Sequence, residues 1–223
     1  MEAFYDPTRV YPTARLHPYT GTGANQSGYI DFKASPEQIA SALEDFRPFA
    51  HREAVQVFYG LLREINGSDS HFETSDCAFR QPAPHRDAHS QHALCAFARL
   101  YILFRTLPLN CSSAHTDWLA GKLLDVLRQI DPTMTATDGV VALTLTEILH
   151  TGLSNGIWLD GQFDCPDDDP GFGKHLMLSF FAYGDDEDQA YDNLSRVFRN
   201  IGHACGSLSE EIAASLKSNE ESA

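Results

Sequence analysis

Three histidines within eight residues form the densest set of metal-ligating side chains in the sequence: His85, His89 and His92 in PHRDAHSQHAL. If a helix begins near Asp87, positions 89 and 92 lie one turn apart on one face, with His85 just ahead of it. Neutral imidazoles in that arrangement suit zinc, nickel or iron, with a carboxylate or water completing the shell. The segment has no HExxH, so it carries no general base of the zinc-protease type, and no fourth ligand stands at a matching spacing. The plain alternative is a polar, histidine-rich start to a helix on the surface.

A second set is made of carboxylates. Asp164, Asp167, Asp168 and Asp169 in DCPDDDPGFG offer hard oxygen ligands next to turn-forming glycines. Calcium or magnesium could use them, but the alternating ligands and terminal glutamate of an EF-hand are absent. A solvated or partner-facing loop fits equally. Phe172 stands between Gly171 and Gly173 on this acidic stretch and is a candidate contact anchor. Asp185, Asp186, Glu187 and Asp188 follow at the expected start of a helix, where its dipole favours negative charge.

Covalent chemistry finds no local signature. There is no GxSxG, no SxxK and no cysteine–histidine motif, which leaves only a site assembled from distant residues. HRD at 85–87 is excluded as a kinase loop, because position 92 is His rather than Asn and DFG is missing. Glycines 21, 23 and 28 lack the spacing of a phosphate loop. The five cysteines, Cys77, Cys95, Cys111, Cys165 and Cys205, include no CxxC pair. In a chain starting MEAFYDPTRV, without a secretory signal, they read as reduced thiols of a cytoplasmic protein. Cys77 and Cys111 fall in expected loops and are the thiols most open to reaction.

The 223 residues hold 16 basic and 31 acidic side chains, a formal charge of −15. Nucleic acid is a poor ligand for such a chain, since phosphate binding requires clustered Lys and Arg. Ten acids and one base, Lys174, fall within residues 160–192. That concentration suits a basic protein partner, whose approach it would steer. The leading expectation is therefore a non-enzymatic acidic binding protein, an inhibitor or immunity-type factor. It would present Asp164, Asp167–Asp169, Phe172 and Asp185–Asp188 to a toxin or a nucleic-acid-binding protein. A metal-dependent hydrolase or oxygenase using His85, His89 and His92 is the alternative, and a cofactor-independent enzyme with a dispersed site is a third. No cofactor is expected under the leading reading, and a divalent metal is the one for which ligands exist. No apolar run is long enough to span a membrane.

The elements that must position these residues read as mainly helical. Residues 1–34, with Pro7, Pro12 and Pro18, look like an irregular arm with one short strand at Tyr29–Phe32. Ser35-Pro36-Glu37-Gln38 combines an N-cap, a proline and a capping-box glutamine, predicting a helix that Pro48 ends. Val55, Phe58, Leu62 and Ile65 predict a second over 50–65, closed by Asn66-Gly67. Residues 67–84 read as polar, with a strand-like patch at Cys77–Phe79. Leu94, Phe97, Tyr101 and Phe104 predict a central helix over 88–107, and 118–130 a fourth. Residues 138–152 read as helical, although VALTLT alternates and permits a strand. Ile157–Leu159 and Leu176–Tyr183 read as strands, and 186–201 and 208–217 as two last helices. The whole is expected to be one helical bundle-like domain over 35–217 with a small hairpin or sheet and a tail at 218–223.

Overall fold

A computed structural model describes residues 1–16, 30–86, 90–149 and 172–220. Five strands form one mixed sheet: β1 (Glu2–Leu16), β2 (Phe72–Pro84), β3 (Leu94–Phe104), β4 (Gly139–Leu149) and β5 (Phe172–Gly184). Their order across the sheet is β1-β4-β5-β3-β2. β1 runs parallel to β4, and every other neighbouring pair is antiparallel. The expected mainly helical bundle is thereby overturned: the protein is an α/β fold built on a central sheet.

The two largest corrections fall on β3 and β4. LCAFARLYILF is the strand β3, which lies between β5 and β2. Ala96, Ala98, Leu100, Ile102 and Phe104 face one side, while Leu103 and Tyr101 on the other are also buried. A strand buried on both faces loses polar alternation and can imitate a helical stripe. β4 follows the alternating alternative for 139–149, with Val141, Leu143 and Leu145 in the core.

The presumed arm opens with β1, an edge strand. Its register shifts between Tyr5 and Val10 and between Tyr11 and Arg15, the two intervals holding Pro7 and Pro12. Proline donates no ladder hydrogen bond, so an edge interrupted at each proline tolerates both. The opposite edge, β2, likewise shifts between Arg80 and Ala83, around Pro82. Residues 30–34 are not a strand.

Helices cover one face. A 3-10 turn at Pro36–Gln38 leads into the short α1 (Ile39–Ala42) and a second 3-10 stretch, Glu44–Phe49. The expected capping box does not form, since Ser35 makes no side-chain cap bond. α2 (Glu53–Asn66) and α3 (Ser113–Ile130) match the predicted helices apart from their ends. α4 (Glu187–Glu220) is one helix, because Ala204, Cys205 and Leu208 continue the buried stripe of Leu194, Val197, Phe198 and Ile201 through the glycines at 202 and 206. Phe198 meets Phe58 of α2 at 4.7 Å and Phe180 of β5 edge-on at 5.7 Å, joining both helices to the sheet. α3 lies over β1, where the Tyr5 hydroxyl donates to Asp117 at 2.8 Å and Arg128 Nε to the Ala3 carbonyl at 3.1 Å. No helix among the described residues is long and apolar enough to cross a membrane.

Candidate partner-binding surface

The corner where β5 passes into α4 is made by close packing and capping. A Cβ on Gly184 would lie 2.4 Å from the Ala190 backbone nitrogen, so the strand end approaches the helix as only glycine permits. Asp186 is the N-cap: its Oδ1 accepts the Gln189 amide at 2.8 Å, and Gln189 Oε1 accepts the Asp185 amide at 2.8 Å. The arrangement resembles a capping box, except that the Gln189 side chain reaches the amide of the residue before the N-cap. Asp186→Ala should lower stability by about 1 kcal/mol, seen as a reduced urea midpoint at constant slope. An unmoved midpoint would show the cap to be idle.

The other three carboxylates point outward, with side-chain exposures of 74% for Asp185, 62% for Glu187 and 82% for Asp188. Arg52, the residue before α2, pairs with Asp188 and with Glu187 at 3.2 Å, and lies over the Tyr191 ring. Glu53 pairs with Arg199 across the same two helices. Both helix N-termini therefore meet at this corner, where their dipoles favour the carboxylates.

The β2–β3 connection docks against the same corner. His92 Nδ1 lies 2.9 Å from Asp185 Oδ1, and its Nε2 3.9 Å from Asp138 Oδ1. His85 Nε2 bonds the His92 carbonyl oxygen at 2.8 Å, and its ring packs on Tyr183. Ser90 donates to the Thr137 carbonyl at 2.9 Å. Nearby, hydrogen bonds from Thr133 together with Arg196 hold the Asp131 carboxyl down at about 2. Burial pushes Asp138 up, but hydrogen bonds from Thr135 and the charges of His92 and Arg196 outweigh it and leave its carboxyl lowered.

The acidic candidates thus divide. Asp185, Asp186, Glu187 and Asp188 share this corner, and Phe172 is the first residue of β5. Asp164, Asp167, Asp168, Asp169 and the Ile157–Leu159 strand lie outside the described residues, as does His89. His85 and His92 are engaged with a carbonyl and with carboxylates. Among the described residues, no three of His, Cys, Asp and Glu are arranged to hold a metal ion. Burial pushes the Cys77 thiol up to about 12, which leaves little thiolate near neutrality, and Cys111 is fully buried.

A polar network on the sheet face opposite the helices was missed from the sequence. Ser75, the extra residue of a bulge in β2, lies with its Oγ 2.9 Å from Nδ1 of His175 on β5. The Tyr101 ring packs on His175, Arg99 lies over Tyr101, and Arg99 reaches Asp76 at 3.3 Å. Glu73, fully buried, pairs with Lys33. A serine bonded to a histidine is half of a nucleophile–base arrangement. At 5% and 2% exposure, though, this pair serves as a strut between β2 and β5 across β3. The available signal was ETSD, four consecutive polar residues in a segment where Phe72–Ser75 are all buried.

No protein-family model matches the chain, and neither a curated protein nor a solved structure does.

Proposed function

We propose that the protein is a non-enzymatic binding protein that meets a basic protein partner through the corner of Asp185, Glu187 and Asp188. One observation carries this reading: among the described residues, the four consecutive carboxylates there are paired with one guanidinium, Arg52, and one imidazole, His92. The helix dipoles support their presence without neutralising the field they project into solvent. Such a field raises the encounter rate with a positively charged surface and makes it sensitive to salt. The metal-dependent alternative gains no supporting geometry from the described histidines.

The test compares wild type with Asp185→Asn/Glu187→Gln/Asp188→Asn, leaving the Asp186 cap intact. Each is immobilised and exposed to cell lysate at low and high salt. A protein retained by wild type alone is purified, and its association rate is measured by stopped flow. The variant should associate roughly tenfold more slowly, with a flattened salt dependence. Equal capture and equal association rates for the two would sink the reading.

A further inference from the structure

The α-helices described above pack on the sheet face that carries Val141, Phe180 and Ala98. On the opposite face the register aligns side chains in rows across all five strands. One row runs Glu2, Val140, Phe181, Phe97, Arg80, and the next runs Phe4, Ala142, Ser179, Arg99, Ala78. A sheet face left to water is ordinarily polar. Here the middle of the first row is apolar: Phe97 and Phe181 are only half-buried, with ring centroids 5.2 Å apart. In the second row the Phe4 ring is 43% exposed. Two half-exposed rings in mid-sheet and a third on the edge form the pattern of an interaction surface.

Charge decides which partner fits. The first row ends in an acid on one edge, Glu2 of β1, and in a base on the other, Arg80 of β2. Both are exposed, and neither forms an ion pair among the described residues. Four strand spacings hold them about 19 Å apart, too far to meet within one chain. β5 is the middle strand of the order, so a two-fold axis close to β5 and parallel to the sheet carries β1 of one copy over β2 of another. Glu2 of each copy then faces Arg80 of the other, and the pair forms twice. In the second row the same operation sets the exposed Phe4 ring over the small Ala78. Along the axis Phe181, Ser179 and Met177 meet their own counterparts. A two-fold along the row would instead set Glu2 on Glu2 and Arg80 on Arg80.

We propose that this face is the interface of a homodimer in which two copies stack sheet on sheet about an axis close to β5. Aligned sheets pack about 10 Å apart with strands within about 30° of each other, which keeps each row over its counterpart. The half-wet face of each copy becomes an inner layer, with the helices outside. A second copy satisfies both signs of the row at once, whereas a basic partner would gain Glu2 and be repelled by Arg80. The inference does not rest on the function proposed for the acidic corner.

Sedimentation velocity of the full chain over about 1–100 μM tests this, and a species of twice the chain mass should grow with concentration. Glu2→Arg and Arg80→Glu each set like charges face to face at two points, so each should weaken the dimer roughly tenfold or more. Glu2→Arg/Arg80→Glu rebuilds both pairs at the net charge of the wild type and should return the affinity to within about threefold. Only a contact between chains can produce that recovery, given the distance within one. Phe4→Ser removes an exposed ring and should weaken the dimer while leaving the far-ultraviolet circular dichroism unchanged. A monomer throughout the range would overturn the proposal. So would a dimer indifferent to Glu2→Arg and Arg80→Glu, or a double variant as weak as the single ones. Such a failure would leave the corner reading standing, because that reading fails only through unchanged partner association in the corner variant.

Discussion

Phe198→Ala is expected to destabilise the protein by about 3–5 kcal/mol, the range for emptying a large aromatic site in a core. The ring is 1% exposed and lies between α2, α4 and the sheet, 4.7 Å from Phe58 and 5.7 Å from Phe180. Phe46 extends the stack, sitting 5.2 Å from both Phe58 and Phe79. Three separate elements thus lose contacts at once, and none can close the gap without leaving the others. For a domain of this size the melting temperature should fall by roughly 10 °C or more. Phe198→Leu, which retains most of the volume, should cost about 1.5 kcal/mol or less. Urea unfolding of the three proteins measures both. A loss below about 1 kcal/mol for the alanine variant would mean that the helical layer is not organised around this ring.

Lys33→Met carries the second large effect, about 2–4 kcal/mol near neutral pH. Breaking a fully buried ion pair costs about 3–5 kcal/mol, and the figure is reduced here because Lys33 is one-quarter exposed. Its partner Glu73 has no exposed surface. Burial raises the Glu73 carboxyl above its ordinary 4.5, and Lys33 is the chief influence pulling it back. A carboxyl raised on folding holds its proton more tightly in the native state. It therefore costs nothing below its unfolded value and costs more as pH climbs through and beyond that value. Removing Lys33 raises it further, so the variant's deficit should be smallest at about pH 4 and grow towards about pH 7. Adding Glu73→Gln should recover much of the loss. A deficit that does not change with pH would show that Lys33 matters for packing and not for charge.

What could be read from the sequence follows from how each element meets solvent. α2 and α3 have one wet face, so Val55, Phe58, Leu62 and Ile65, or Leu119, Leu123 and Leu127, announce their period. β3 has no wet face over much of its length, and its stripe of Leu94, Phe97, Tyr101 and Phe104 carries no information about period. β1 and β2 are edges broken by prolines, which local reading takes for loops. The break expected in α4 falls across the glycines at 202 and 206, whereas the buried spacing of Ile201, Ala204, Cys205 and Leu208 runs straight through. The corner carboxylates were legible because a helix start explains acidic residues locally. The Ser75–His175 strut was not, because strand pairing brings together residues far apart in the chain.

The placement of β1 also constrains the molecule during synthesis. This strand is translated before the other four, yet among the described residues its neighbour is β4, which otherwise pairs with β5. At about 5–20 residues per second, β1 waits on the order of ten seconds for its partner to be translated. Throughout that interval a nascent chain carries Phe4, Tyr5, Val10 and Tyr11 on an unpaired strand, a template for joining other chains. Pro7 and Pro12 interrupt it at intervals too short for a long foreign ladder to form. The prolines that disguise the strand in the sequence thus protect it until its own sheet exists.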